Sequence, residues 1–303
     1  MDRFEEIDAF VRIIDSGGVS AAAARTGAAK SKLSRRLADL EARLGVQLVK
    51  RTTRSWTLTD TGRDFYQRAV RLLSDLREAE ASATASQAAL SGRLRIAAPL
   101  SFGVAHMGPM LTKFAADHPK VALDIEFNDR PTDLVEEGFD AAIRIGRLAS
   151  SSLVARKLCN ITVIASGAPA FWERFGRPGT AEELAQLPQL RYANAPPVLR
   201  AAPPEAQDRA VISANNGDFL TRACVAGLGF LIAPTFLVHR EIESGALEPV
   251  LLDHKWSDLG LYALYPPARH VSARLRAFID TAAESFSTRP YWDECLRKNR
   301  ARS

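Results

Sequence analysis

The amino-acid sequence predicts a multidomain α and α/β protein, with short N-terminal helices and a hairpin, one long helix, and a larger C-terminal α/β domain. Three observations carry this. Apolar residues repeat at helical spacing in three short N-terminal stretches, a 4,3,4,3 seam follows over more than three heptads, and beyond Gly92 short apolar runs alternate with helical ones. The 303 residues suffice for two domains or more, and 47% apolar with 25% charged residues is ordinary globular composition.

Phe4, Ile7, Phe10, Val11 and Ile14 form the stripe of a first helix that closes near Ser16, Gly17 and Gly18. Ser20 is read as the N-cap of a second helix over residues 21–24, ended by Gly27 after Thr26. Leu33, Leu37, Leu40 and Leu44, with Gly45 as stop, mark a third helix whose opposite face carries Lys32, Arg35, Arg36, Asp39 and Arg43. Residues 46–58 alternate as a hairpin with Arg51, Thr52, Thr53, Arg54 and Ser55 at its tip, and Trp56 beside them is assigned to packing rather than to stacking on a base. Two short helices joined by a tight Gly-containing turn, the second offering cations, make a helix-turn-helix, and the basic hairpin makes its wing.

Charge sharpens this reading. Residues 25–54 hold nine cations against two anions, a local balance of +7, which leaves −2 for the other 273 residues of a chain whose net charge is +5. Positive charge confined to one segment suits a polyanion there and something else elsewhere. Arg35 and Arg36 are adjacent and point in different directions, so at most one reads a base edge while the other takes a phosphate, in competition with salt bridges to Asp39 and Glu41.

The long helix follows from Thr61. Phe65, Ala69, Leu72, Leu76, Ala79, Ala83, Ser86 and Leu90 form an a/d seam that pairs with a copy of itself or, alternatively, packs on its own domain. Phe65, Leu72, Leu76 and Leu90 are assigned to the dimer contact, and Thr59 or Thr61 to the cap.

Strands are expected at residues 94–98, 121–127, 141–145 and 162–165, with helices at 104–116 and 133–137, in a mostly parallel α/β domain. Ligands of such sheets sit at the carboxyl ends of strands near helix N-termini. Pro99, Leu100, Ser101, Phe102 and Gly103 fit that place, as do Asn215, Asn216, Gly217 and Asp218. Ser101 leads the candidates because a hydroxyl beside free backbone N–H groups suits a polar ligand, although N-capping the next helix is a compatible role. For Arg144 and Arg147 two readings stand, pairing with an anionic effector and plain solvation at a strand end, of which solvation is favoured; the basic tail with Arg289, Arg297, Lys298, Arg300 and Arg302 is read as frayed.

Three function classes compete: a DNA-binding regulator, an α/β enzyme with a helical accessory domain, and a solute-binding protein. For an enzyme the chain lacks a nucleophile elbow, a P-loop and a GxGxxG opening after a strand, the run "VAGLGF" giving only Gly-x-Gly. The five histidines have no metal-ligand spacing, and Cys159, Cys224 and Cys295 fit neither a disulfide framework nor a zinc pattern, so no cofactor or metal is expected. Charged Asp2, Arg3, Glu5 and Glu6 oppose an export signal, which disfavours a solute-binding protein, and no apolar run is long enough for a membrane span, so a cytoplasmic place is expected.

The string "GGVSAAAARTGAAKSKLSRRLADLEARLGVQLVKRTTRSWTLTDTG", followed by "GRLRIAAPLSFG", "LVEEGFDAAIRIG", "NNGDFLTRACVAGLGFLIAP" and "RLRAFID", resembles the LysR-type transcriptional regulators over nearly the whole chain. That resemblance implies a winged helix-turn-helix DNA-binding domain over residues 1–59 (helix-turn-helix 19–38), a linker helix over 60–90 that dimerises, and a periplasmic-binding-protein-like effector domain over 91–290. Its two subdomains would be 91–161 with 266–290, and 162–265, with crossings near Ile161 and Tyr265 and a last helix at 271–286. The basic tail would be 291–303. Lys30, Ser31, Lys32, Ser34, Arg35 and Arg36 fall where the family meets DNA, with Ser20 at the motif's opening and Arg51, Thr52 and Arg54 on the wing. Ser101, Phe102, Ile145, Asn216 and Gly217 fall on the effector cleft. The implied partners are double-stranded DNA, a small-molecule effector, a second copy in a homodimer that assembles further to a tetramer, and RNA polymerase. Two departures belong to this chain. Ala29 stands where the family carries a capping serine or threonine, a loss of about 1 kcal/mol, and the extra cations Lys30 and Lys32 imply a steep salt dependence.

Overall fold

The computed structural model describes residues 2–51, 56–83, 90–130, 132–147, 152–194, 210–256, 258–267, 271–286 and 290–300. The chain divides into two compact units, Met1–Gly92 and Arg93–Ser303.

The first unit opens with α1 (Arg3–Asp15), whose start is capped by the Asp2 carboxylate accepting from the Phe4 amide at 2.9 Å. Phe4 is exposed, and the inward stripe is Ile7, Phe10, Val11 and Ile13. α2 (Val19–Thr26) begins one residue before Ser20, so Ser20 is an exposed residue of its first turn rather than its cap. The cap is Gly18 at φ 147°, a conformation other residues resist; a Cβ there would also stand 3.2 Å from the Trp56 ring, which packs on this core. Gly27 at φ 69° closes α2 by donating its N–H to the Ala23 carbonyl. α3 (Lys30–Leu44) starts at Ala29 with no side-chain cap and stops at Gly45, also at φ 69°. Leu33, Leu37 and Leu40 of α3 meet Phe10, Ile13 and Ala22 in one core. A hairpin of β1 (Val49–Arg51) and β2 (Trp56–Leu58) follows, antiparallel with Val49 opposite Leu58.

α4 (Asp60–Ala83) is capped by Thr59, whose hydroxyl accepts from the Gly62 amide at 2.9 Å and donates to the Gln47 carbonyl at 2.8 Å. Its first turns belong to the core just described: Ala69 and Leu73 are buried, and the Phe65 ring lies 5.6 Å from that of Phe10. The helix stops short of the expected residue 90. Leu90 is not helical, because Gly92 at φ 100° turns the chain into the next strand two residues later; Ser86 of the expected seam lies outside the described residues.

The second unit holds two five-stranded sheets. One contains β3 (Gly92–Ala98), β4 (Val121–Phe127), β5 (Ala141–Gly146), β6 (Val154–Ile161) and β12 (Leu259–Tyr265) in the order β4-β3-β5-β12-β6. The other contains β7 (Val163–Gly167), β8 (Gln189–Tyr192), β9 (Ala210–Ala214), β10 (Phe230–Pro234) and β11 (Glu248–Val250) in the order β11-β7-β10-β8-β9. These sheets are mixed, not mostly parallel. β3 and β5 run parallel, as do β8 with both β9 and β10, but β12 is antiparallel to β5 and β6, and β7 to β10 and β11. The antiparallel strands flank the places where the chain changes sheet: β6 passes to β7 through Thr162, and β11 to β12 between Val250 and Leu259. The return thus precedes the expected Tyr265, since residues 259–265 pair wholly within the first sheet.

Helices cover the sheets. α5 (Leu100–Phe102), a π-turn (Gly103–Met107) and α6 (Gly108–Asp117) replace the single expected helix after β3. Residues 133–137 make one hydrogen-bonded turn, not a helix, because Gly138 at φ 75° ends it. The second sheet carries α7 (Pro169–Phe175), α8 (Ala181–Leu184), α9 (Gly217–Val225) and α10 (Thr235–Ser244). α11 (Ala273–Ser285) returns to the first sheet, with the Phe278 ring 5.5 Å from that of Phe114 on α6.

The described part of the tail expected to fray is packed, Arg289 and Arg302 lying outside the described residues. A 3₁₀ turn (Tyr291–Asp293) leads into α12 (Glu294–Arg300), and Trp292 and Cys295 are each 1% exposed. Trp292 is too large and apolar to leave in water, and it lies against Phe102, Phe236 and Phe286. Asp293 accepts hydrogen bonds from Thr162, at the first crossing, and from Thr235, at the start of α10.

Candidate functional site

The outer face of α3 is the first site. Lys30, Ser31, Lys32 and Arg35 are exposed and Ser34 is half-buried, while Leu33, Leu37 and Leu40 hold the opposite face to the core. Neither Lys30 nor Lys32 has an ion-pair or hydrogen-bond partner among the described residues, and Arg35 reaches only Asp39, at 3.9 Å, with 78% of its side chain exposed. Arg36 behaves differently. It is paired with Glu5 of α1 and its side chain is 21% exposed, so the competing carboxylate is neither Asp39 nor Glu41. One helical flank further on, Arg43 pairs at 2.8 Å with Glu6, which is buried. Glu41 instead accepts the Leu48 and Val49 amides at 2.9 and 3.1 Å and fixes the entry to the hairpin. The four cations expected on one face therefore divide: Lys32 and Arg35 face outward, as does Lys30 beside them, while Arg36 and Arg43 clamp α3 to α1. Of the expected wing residues, Arg51 ends β1 with its side chain outside the described residues, and Thr52 and Arg54 lie outside them altogether.

The second site is a cavity of about 400 Å³ between the two sheets of the second unit. Ser101, Phe102, Ile145 and Gly217 line it; Asn216 does not, its side chain capping α9 by accepting from the Phe219 amide at 2.8 Å. Ser101 is inside α5, so it is not that helix's cap, and its hydroxyl donates to the Asp218 carboxylate across the cleft at 2.7 Å. Gly217 allows a close approach, since a Cβ there would stand 2.6 Å from Leu237. Phe102 is fully buried and packs edge-on to Phe236 at 5.1 Å, closing the floor.

Sequence reasoning missed much of this wall. Arg144 of β5, where the sequence favours solvation over an anionic partner, belongs to the cavity lining, and its buried Nη2 has no hydrogen-bond partner. Burial lowers the affinity of its guanidinium for the proton, and the Asp129 charge opposes that effect. Asp129 accepts from the Leu100 amide at 3.1 Å and from the Tyr192 phenol, whose pKa is raised first by burial and then by the Asp129 charge. The strand β8, with Gln189, Leu190, Arg191 and Tyr192, forms the facing wall. One signal was available: Arg144 is the only charge in the run "AAIRIG".

Beneath the floor lies an aromatic cluster around His106. Its Nε2 donates to the Phe236 carbonyl at 3.1 Å, which leaves Nδ1 to accept from the Tyr291 hydroxyl at 2.6 Å. Burial brings the His106 pKa down to about 4, so the ring is neutral. No group of three or more metal-ligating side chains occurs among the described residues, and no helix among them is long and apolar enough to cross a membrane.

A helix-turn-helix with an outward cationic face, and an α/β unit with a cavity between two sheets, define a ligand-responsive DNA-binding regulator. The comparisons agree over both parts. Residues 4–63 match the bacterial regulatory helix-turn-helix protein, lysR family, and residues 87–287 match the LysR substrate binding domain. The chain is 35% identical over 289 residues to the transcriptional regulator PtxR of Pseudomonas aeruginosa, covering 93% of each chain. The crystal structure of CrgA, a LysR-type regulator from Neisseria meningitidis, matches with a TM-score of 0.58 at 30% identity, over 93% of this chain and 98% of that one. The full-length Vibrio cholerae virulence activator AphB matches with a TM-score of 0.58 at 26% identity, over 94% of this chain and 100% of that one. The chain belongs to the LysR family of transcriptional regulators, and it is a DNA-binding regulator with an effector-binding domain rather than an enzyme.

Proposed function

We propose that Lys30, Ser31, Lys32, Ser34 and Arg35 on α3 meet double-stranded DNA, with Ser20 and the wing residues Arg51, Thr52 and Arg54 on flanking phosphates. The observation that carries this is the division of the α3 cations. Arg36 and Arg43 are held by Glu5 and Glu6, while Lys30, Lys32 and Arg35 stand exposed on the face away from the core. Arg35 is the base reader, because a guanidinium fits guanine acceptors in the major groove, and Arg36 orients the helix from behind. The protein acts in the cytoplasm as a homodimer that assembles to a tetramer, so that recognition helices meet successive major grooves of an interrupted inverted repeat. Pairing through α4 is supported at Leu72, which is 44% exposed although its neighbours Ala69 and Leu73 are buried; Leu76 follows one turn later, and Phe65 serves the unit's own core. Leu90 has no part in that contact, being outside the helix. The functional division is a DNA-binding domain over 1–59, the linker helix, and an effector domain from residue 91 in which a small molecule in the cleft alters DNA bending or polymerase access through its different affinity for two states.

The test is a footprint on the DNA upstream of the protein's own gene, with excess nonspecific competitor at fixed salt. A roughly palindromic protected site that is lost in Arg35→Ala supports the reading, and unchanged protection by that variant removes Arg35 from the interface.

A further inference from the structure

Arg144 is the anomaly in the cavity wall. It stands on β5 at the sheet end that also carries Ser101 and Ile145, and its Nη2 nitrogen is buried with no acceptor. No carboxylate lies within ion-pairing distance of it among the described residues. The acid that influences it most, Asp129, is already engaged by the Leu100 amide and the Tyr192 phenol. A guanidinium nitrogen removed from water without an acceptor is unfavourable, because a charged donor has lost its hydration and gained no partner. A protein that keeps such a group in a cavity has a place for an anion to satisfy it.

The rest of the lining narrows the chemistry. Arg191, on the facing strand, is already engaged, with Ser213 at 3.4 Å among its partners, so Arg144 is the cation of the described lining left for a ligand, and one negative charge matches it. Phe102, Ile145, Leu190, Leu231 and Phe236 make the remainder apolar. A multiply charged anion would leave charge uncompensated against that surface, and a neutral ligand would accept a hydrogen bond at most and leave the Arg144 charge unmatched. We infer that the cleft takes a small organic monocarboxylate with an apolar body, the carboxylate on Arg144 and the body against Phe102 and Phe236. This rests on the cleft being the effector site and assigns the class of compound that enters it.

Benzoate and hexanoate, each against its neutral amide, test the assignment by calorimetric titration of the full-length protein. The carboxylates bind and the amides bind at least tenfold more weakly, because a hydrogen-bonded charge pair is worth about a factor of ten or more. Arg144→Met weakens carboxylate binding by roughly the same factor, leaves amide binding unchanged, and does not lower the melting temperature of the free protein, since the guanidinium it removes has no partner. Arg144→Lys, which keeps the charge without the planar fork, restores part of the loss. If acid and amide bind equally and Arg144→Met changes neither, the monocarboxylate assignment is overturned while the cleft stands as a ligand site. If none of the four binds at millimolar concentration, the monocarboxylate assignment is overturned, and the family's effector domain then takes a ligand of another class.

Discussion

At the scale of single residues, two sets of cations on one helix do different work, and each has its own measurement. Lys30 and Lys32 are exposed and unpaired, so replacing both by glutamine should reduce the slope of log affinity against log salt by about two if both touch phosphate. An unchanged slope would remove them from the interface. Arg43 has the opposite role. Its loss strands Glu6, which is 3% exposed, so Arg43→Ala should destabilise the first unit by about 2 kcal/mol in urea, reduced from the value for a fully buried pair because Arg43 is itself partly exposed. Arg36→Ala should cost less, roughly 1 kcal/mol or below, since its partner Glu5 is half exposed. Equal losses in both variants would refute this ordering. The helical spacing puts Arg36 and Arg43 on one face with Lys32 and Arg35 and does not predict the division, although its raw material is in the chain. Arg36 and Arg43 are seven apart and share a flank, and Glu5 and Glu6 sit where α1 would meet it. What the spacing did not reveal is the angle at which α1 crosses α3, which decides that the pair is Arg36 with Glu5 and not Arg36 with Asp39 or Glu41.

At the scale of elements, starts and stops were well encoded and tertiary anchors were not. Gly27, Gly45 and Asn216 end or open helices by local backbone conformation or local hydrogen bonds, and the sequence suffices for those. The segment Tyr291–Arg300 was misread as a frayed basic tail because its arginines are local while the sites for Trp292 and Asp293 lie on α5, on α10 and at the crossing between β6 and β7. That segment also completes the cluster around His106, where a pH dependence arises. His106 is held neutral with a pKa near 4, against an ordinary value of 6.5, by burial first, with His239 and Arg240 acting in the same direction and the Phe236 carbonyl and Asp218 opposing. The unfolded chain therefore binds a proton between about pH 6.5 and about pH 4 that the folded chain does not, and stability is full above that window and falls as pH falls through it. Thermal melts across this range should show a steeper acid-side loss for the native sequence than for His106→Asn; parallel curves would rule His106 out as its source.

At the scale of the whole molecule, the sequence disclosed the two-part organisation more clearly than the cleft. The +7 segment, the four-three leucines and the change of texture at Gly92 are each local patterns, whereas the cavity joins residues more than one hundred positions apart, such as Ser101 with Asp218. The strand directions were misjudged for the same reason, since sheet changes at Thr162 and after Val250 depend on which sheet a strand joins. Each unit has its own core, one built around Phe10, Leu37 and Leu40, the other holding Phe102, Phe278 and Trp292. Separate cores need not melt together. Calorimetry of the full chain should therefore resolve two transitions, with Leu37→Ala lowering one and Trp292→Ala the other. Both side chains are almost fully buried, and truncations of this kind cost about 3 to 5 kcal/mol, enough to shift the affected transition by several degrees. The variants thus assign each transition to its unit, and monocarboxylate ligands should raise only the one that Trp292→Ala lowers, because Phe102 joins the Trp292 cluster to the cavity wall. A single transition shifted equally by both substitutions would show instead that the two cores are energetically one.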